Sequence, residues 1–173
     1  SGQGNSSVAI GSSSGTNTQG TSCVAIGSNA GRTNQGNSSV AVGVSTGANT
    51  QGTSCVAIGN IAGNANQSTE CIAIGLEAGR ATQGASAVAI GSYAGRTNQG
   101  AKCVAVGNEA GKMTQGDYAI AIGDLAGSSG QSTTSIAIGQ NAGALTQGAA
   151  SIAVGSAAGQ SVQGAGAIAI GQN

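Results

Sequence analysis

The sequence predicts an all-β protein coiled into a parallel β-solenoid. Three observations lead there: one unit recurs every 16 residues, the glycines occupy fixed places within it, and proline is absent. The tetrad Val8-Ala9-Ile10-Gly11 returns as Val24-Ala25-Ile26-Gly27 and continues without insertion or deletion to Ile168-Ala169-Ile170-Gly171, eleven copies in all. A period of this length suits one coil of a β-solenoid and is too short for a helix pair. Residues 1–173 therefore read as a single repeat domain of eleven rungs, expected to be a fragment of a longer fibre. With rungs about 4.8 Å apart, the rod should be about 50 Å long and contain no helix.

Each part of the unit has a structural reading. From two residues before the tetrad to its last Val or Ile, the chain alternates with period two and carries β-branched side chains, which is a strand signal. Gly11 and Gly15 bracket a short connection, and Gly4 with its equivalents is expected to make the opposite corner by entering positive φ. Thirty of the 33 glycines lie in these three columns, so they mark corners and not a flexible linker. The lack of proline fits a chain in which every rung donates N–H groups to its neighbour.

Stacking aligns equivalent residues, so the columns indicate which way side chains point. The Val/Ile columns, Val8 to Ile168 and Ile10 to Ile170, have no polar exception and are expected to fill the interior. The opposite face of the strand carries Ala9 and its equivalents beside the small column Ser7, Cys23, Ser39, Cys55, Cys71, Ala87, Cys103, Ala119, Ser135, Ser151 and Ala167. A face that never departs from small residues predicts close approach by another surface. Three rods packed through this Ala9/Ser7/Cys23 face would supply one.

Composition narrows the function classes. Phe and Trp are absent, and charged residues make up 6% of the chain and cancel to zero. That removes the electrostatic footprint of a protein gripping nucleic acid or an anionic membrane surface, so neither a nucleic-acid partner nor membrane insertion is expected. Catalysis has no visible actors, because His is absent and Glu70, Glu77, Glu109, Asp117 and Asp124 are scattered over separate rungs. The glycines form no phosphate-binding loop and the turns lack the Asp of calcium-binding β-rolls. The chain is thus expected not to be an enzyme, with no catalytic, cofactor-binding or metal-binding residues and no cofactor.

The unit QGTSCVAIGNIAG at Gln51–Gly63, with its VAIG strand and second glycine, resembles the head repeats of trimeric autotransporter adhesins, the YadA-like parallel β-roll. Similar AIG-containing repeats occur in fibre proteins of phages and large DNA viruses. The resemblance covers the whole chain and implies a left-handed β-roll, a homotrimer and a place in a surface-displayed fibre, on a virion or a cell. The extra length of this unit and its Gln column depart from the adhesin pattern, so no ligand is carried over.

The four cysteines share one repeat column with Ser and Ala, which reads as a small buried filler of free thiols. Cys55 and Cys71 occupy adjacent rungs within bridging range, but parallel side chains fit the disulfide dihedral poorly. Collinear ligands cannot surround a metal ion. Free thiols favour assembly in a reducing compartment, hence a virion fibre made in cytosol. The column Arg80, Arg96 and Lys112, preceded by Arg32, reads as a solvated stripe compensated by Glu77 and Glu109.

Two columns remain. Gln3 to Gln163 recur in every rung and predict an amide ladder along the axis. The column before it, Thr18, Asn34, Thr50, Asn66, Thr82, Asn98, Thr114, Gly130, Thr146 and Val162, resembles the Thr/Asn arrays of ice-binding solenoids. The expected function is a structural and adhesive fibre segment, a spacer and attachment surface for a cell-surface ligand. Ice binding through the Thr/Asn column is the alternative.

Overall fold

A computed structural model describes residues 2–172. Its strands are short and stacked in parallel, forming a β-solenoid of about ten turns with no helix among the described residues. The tetrads build one continuous eleven-stranded sheet, from Val8–Ile10 to Ile168–Ile170. Register is set residue by residue: Val8 pairs with Val24, Ala9 with Ala25 and Ile10 with Ile26, and the same correspondence continues to Val154↔Ile170.

A second wall runs through the Gln column and is less regular. It forms strands at Asn17–Gln19 and Thr33–Gln35, at Ala65–Gln67, Ala81–Gln83 and Thr97–Gln99, and at Thr146–Gln147 and Val162–Gln163. Between these groups only isolated bridges persist, such as Gln35↔Gln51 and Gln115↔Gln131. The corners are laddered too. Ser22 N–H donates to Asn5 O at 2.9 Å and Asn29 N–H to Ser12 O at 2.8 Å, so the turns bond from rung to rung like the strands.

The structure reverses the expected inside and outside of the main sheet. Ala25, Ala41, Ala57, Ala89 and Ala105 are fully buried within a single chain, as are Cys23, Ser39, Cys55, Cys71, Cys103 and Ser135. The Val/Ile columns instead face outward, where Ile58, Ile90, Ile122 and Ile138 remain 37–39% exposed. The physical reason is the thinness of the coil. Its interior holds the Ala9 column, the Ser/Cys/Ala column, a second column from Ala30 to Ala158 that is Ala except at Thr46, and the Gln side chains crossing between the walls. Gln35 Nε2 reaches Val24 O at 3.1 Å and Ser39 O at 3.2 Å on the opposite wall. Walls spanned by one amide leave no room for Val or Ile, and period two sends both of those columns outward. The Ala9/Ser7/Cys23 face therefore cannot be a contact between subunits.

One corner also differs from expectation. The positive φ near Gly36 falls on Ser38, at 56°, as it does on the equivalent Ser22 (56°) and Ser86 (57°), and not on the glycine. Glycine is needed at position 36 because a Cβ there would lie 2.5 Å from the carbonyl carbon of Gly52 on the next rung. Close stacking, not φ, selects it.

Candidate interaction surface

The main sheet's outer face is a double row of Val and Ile. Successive rungs shield one another, so most of these side chains are half-buried, but no described residue covers the rows. Two columns separated by two residues make an apolar strip on the order of 50 Å long and 10 Å wide. That is as large as the largest patches left exposed on ordinary monomers. It carries no charge along its length, so what it can do chemically is bury apolar surface against a partner.

The flanking corners carry the polar groups. Glu77 accepts from Arg96 Nε at 2.7 Å and from Arg80 at 3.4 Å, and Lys112 pairs with Glu109 at 3.0 Å. The basic stripe is therefore locally compensated, as its spacing suggested. Sequence reasoning missed its aromatic component: Arg96 and Lys112 both sit over the Tyr93 ring, at 5.6 and 5.8 Å from its centroid. On the opposite corner Lys102 lies 5.1 Å from the centroid of Tyr118. Nine of the ten charged residues and both tyrosines fall between Glu70 and Asp124, a clustering that aligning the charges by rung would have revealed. Arg32 stands apart and contacts Asn49 Oδ1 at 3.4 Å.

The Thr/Asn column lies on the second wall and points outward, with Thr18, Asn34, Thr50, Asn66, Thr82, Asn98, Thr114 and Thr146 all exposed. Its backbone is not uniform. Thr18, Asn34, Asn66, Thr82 and Asn98 have φ between 40° and 55°, whereas Thr50 and Thr114 do not share this left-handed conformation.

The Gln column points inward and forms an amide ladder in segments. Gln99, Gln115, Gln131, Gln147 and Gln163 are joined in one run, and Gln19–Gln35 and Gln67–Gln83 in two shorter ones. The Oε1 atoms of Gln19, Gln67 and Gln99, each at the start of a run, have no partner, nor does that of Gln51.

All four cysteines are free and buried. Each donates to a carbonyl of the following rung, Cys23 to Gly36 O and Cys103 to Gly116 O among them. Burial pushes the Cys103 thiol up to about 11, with the Asp117 carboxylate adding to the rise. Among the described residues no group of three or more His, Cys, Asp or Glu is placed to hold a metal, and no helix is long and apolar enough to cross a membrane.

The chain matches no protein-family model, no curated protein and no solved structure.

Proposed function

We propose that this chain is a segment of a surface-displayed fibre, a rod that serves as spacer and attachment surface, whose copies associate through the Val/Ile face into a homotrimer. One observation carries the reading: the outward strip of Val and Ile runs the length of the sheet without a polar interruption and is left uncovered by the chain itself. Packing copies along it removes apolar surface at roughly 25 cal/mol per Å². An association area near 800 Å² per partner is typical of stable complexes, and an uninterrupted strip of this length is of that order. The resemblance to YadA-like head repeats supports the trimer, the left-handed coil, the 16-residue rung as structural unit and the fibre context, on a virion or cell surface.

The deciding measurement is molar mass in solution by light scattering. Three chains per particle supports the reading, and a stable monomer at micromolar concentration overturns it.

The exposure of the Thr/Asn column favours one second reading, an ice-binding solenoid. Thermal hysteresis or ice shaping by the isolated rod would transfer the function to that wall. The change of backbone at Thr50 and Thr114 interrupts the regular lattice such a surface requires.

A further inference from the structure

We propose that Cys55 and Cys71 form a redox modification site, in which a peroxide converts the two buried thiols into a reversible disulfide stapling two consecutive turns of the rod. Cysteine appears four times in its column, but only here on neighbouring rungs: Cys23 lies between Ser7 and Ser39, and Cys103 between Ala87 and Ala119. The strands that follow pair in register, Val56 with Ile72, which sets the two Cα atoms about 4.8 Å apart. A disulfide tolerates Cα separations of roughly 4.4–6.8 Å. The backbone N–H of Cys71 already donates to Cys55 Sγ at 3.4 Å.

At rest both sulfurs point along the axis in the same sense, Cys55 Sγ to Ser68 O at 2.7 Å and Cys71 Sγ to Gly84 O at 3.0 Å. Closing the bond requires Cys71 to turn about χ1 and release Gly84 O. Thiol–disulfide exchange with an added dithiol returns the bridge to two thiols, so the product is reversible.

The two thiols are not equivalent. The neighbouring Cys71 side chain, together with the Cys71 N–H that donates to Cys55 Sγ, lowers the pKa of Cys55 against the effect of burial, while the neighbouring Cys55 side chain and burial raise Cys71. Cys55, whose sulfur accepts the Cys71 backbone N–H at 3.4 Å, is thus the attacking thiolate and Cys71 the resolving thiol. Cys55 sulfur attacks a peroxide oxygen and the O–O bond breaks. Cys55 becomes a sulfenic acid, and the departing hydroxide takes up a proton to become water. Cys71 sulfur then attacks Cys55 sulfur, the S–O bond breaks, and the proton given up by Cys71 leaves with that oxygen as a second water. Two thiols lose two electrons and hydrogen peroxide is reduced to two waters. Access comes from the corner: Ser54 and Glu70, one residue before each cysteine, are exposed, and solenoid turns open locally.

The test exposes the folded full chain to hydrogen peroxide, alkylates the remaining thiols, and maps the products by peptide mass spectrometry. The expected result is loss of two free thiols as one Cys55–Cys71 cross-link, with Cys23 and Cys103 recovered alkylated, and full reversal by dithiothreitol. Cys55→Ser should leave Cys71 reduced, whereas Cys71→Ser should leave Cys55 as a sulfenic acid that dimedone traps. Both variants should fold, since Ser39 and Ser135 occupy the same buried column. Equal oxidation of all four cysteines, a cross-link formed only after unfolding, or over-oxidation of Cys55 without bridging would each overturn the proposal.

Discussion

Gln115 donates a 3.1 Å hydrogen bond to Gln131 Oε1, and the two amides lie one above the other inside the coil with both Nε2 and Oε1 of Gln115 engaged. Gln115 Nε2 also reaches Val104 O at 3.0 Å and Ala119 O at 3.2 Å, and its Oε1 accepts from Gln99. Gln51 occupies the equivalent place but makes a single side-chain bond, to Val40 O, and leaves its Oε1 without a partner. The same residue type in the same column is therefore satisfied to different degrees.

This difference predicts unequal costs. Replacing a buried donor leaves its partners unsatisfied at about 1–3 kcal/mol per group. Gln115→Leu leaves Gln131 Oε1 without its donor and takes one acceptor from Gln99 Nε2, and should destabilise by at least that much. Gln51→Leu removes an atom that is already orphaned and should cost less. Denaturant unfolding of both variants checks the order, and equal losses would mean that the ladder contributes nothing beyond filling space.

Glycine columns should likewise divide by position. Gly107 combines a φ of +132° with a neighbour so close that an added Cβ would meet Gly123 O at 2.5 Å. Gly107→Ala must shift backbone against backbone, at a cost of order 1–3 kcal/mol for the left-handed strain alone. A Cβ at Gly164 meets nothing within 4 Å, so Gly164→Ala should be close to neutral. Thermal melts of the two variants provide the comparison.

The Cys103 thiol gives a pH dependence. Burial raises it to about 11, above the ordinary value of about 8.5 in an unfolded chain. The folded state therefore holds its proton where the unfolded state has released it. This contribution to stability is fully present below the unfolded pKa and is lost as pH rises through that window to the folded value. Unfolding at pH 8 and at pH 10 should show a larger loss for the native chain than for Cys103→Ala, which places the residue of Ala87 and Ala119 in the same column.

Much of the fold was legible in the sequence because the repeat states it. The uninterrupted tetrads imply parallel stacking, and the Gln column was readable as an amide ladder, although the breaks after Gln35 and Gln83 were not. Which face of the strand lies inside was not legible from polarity. Hydrophobic burial argues for Val8 and Ile10 inside, yet the interior is set by the distance between walls, and that distance follows from Gln35 bridging to Val24 O and Ser39 O. An unvarying Ala column was correctly read as tightly covered, but the cover is the opposite wall of the same chain. The surface cluster around Tyr93 escaped because its members, Glu77, Arg96 and Lys112, are far apart in sequence and meet only when rungs are aligned.

Two adjacent residues on a central rung separate the inner wall from the proposed assembly surface. Ala89 is fully buried against Ala94 and Ala105, whereas its neighbour Ile90 is 37% exposed on the Val/Ile strip. Ala89→Glu forces a long charged side chain into a space that holds a methyl group, with no partner for the carboxylate, and should cost several kcal/mol. That chain should fail to fold at any concentration. Ile90→Glu keeps the backbone and the interior unchanged and places its charge in solvent when the chain is alone. It should fold as a rod with unaltered β-sheet circular dichroism but lose the proposed association, running as a single chain by light scattering. If Ile90→Glu stayed as oligomeric as the parent, the Val/Ile strip would not be the contact between copies; if Ala89→Glu folded normally, the inward direction of the Ala column would itself be wrong.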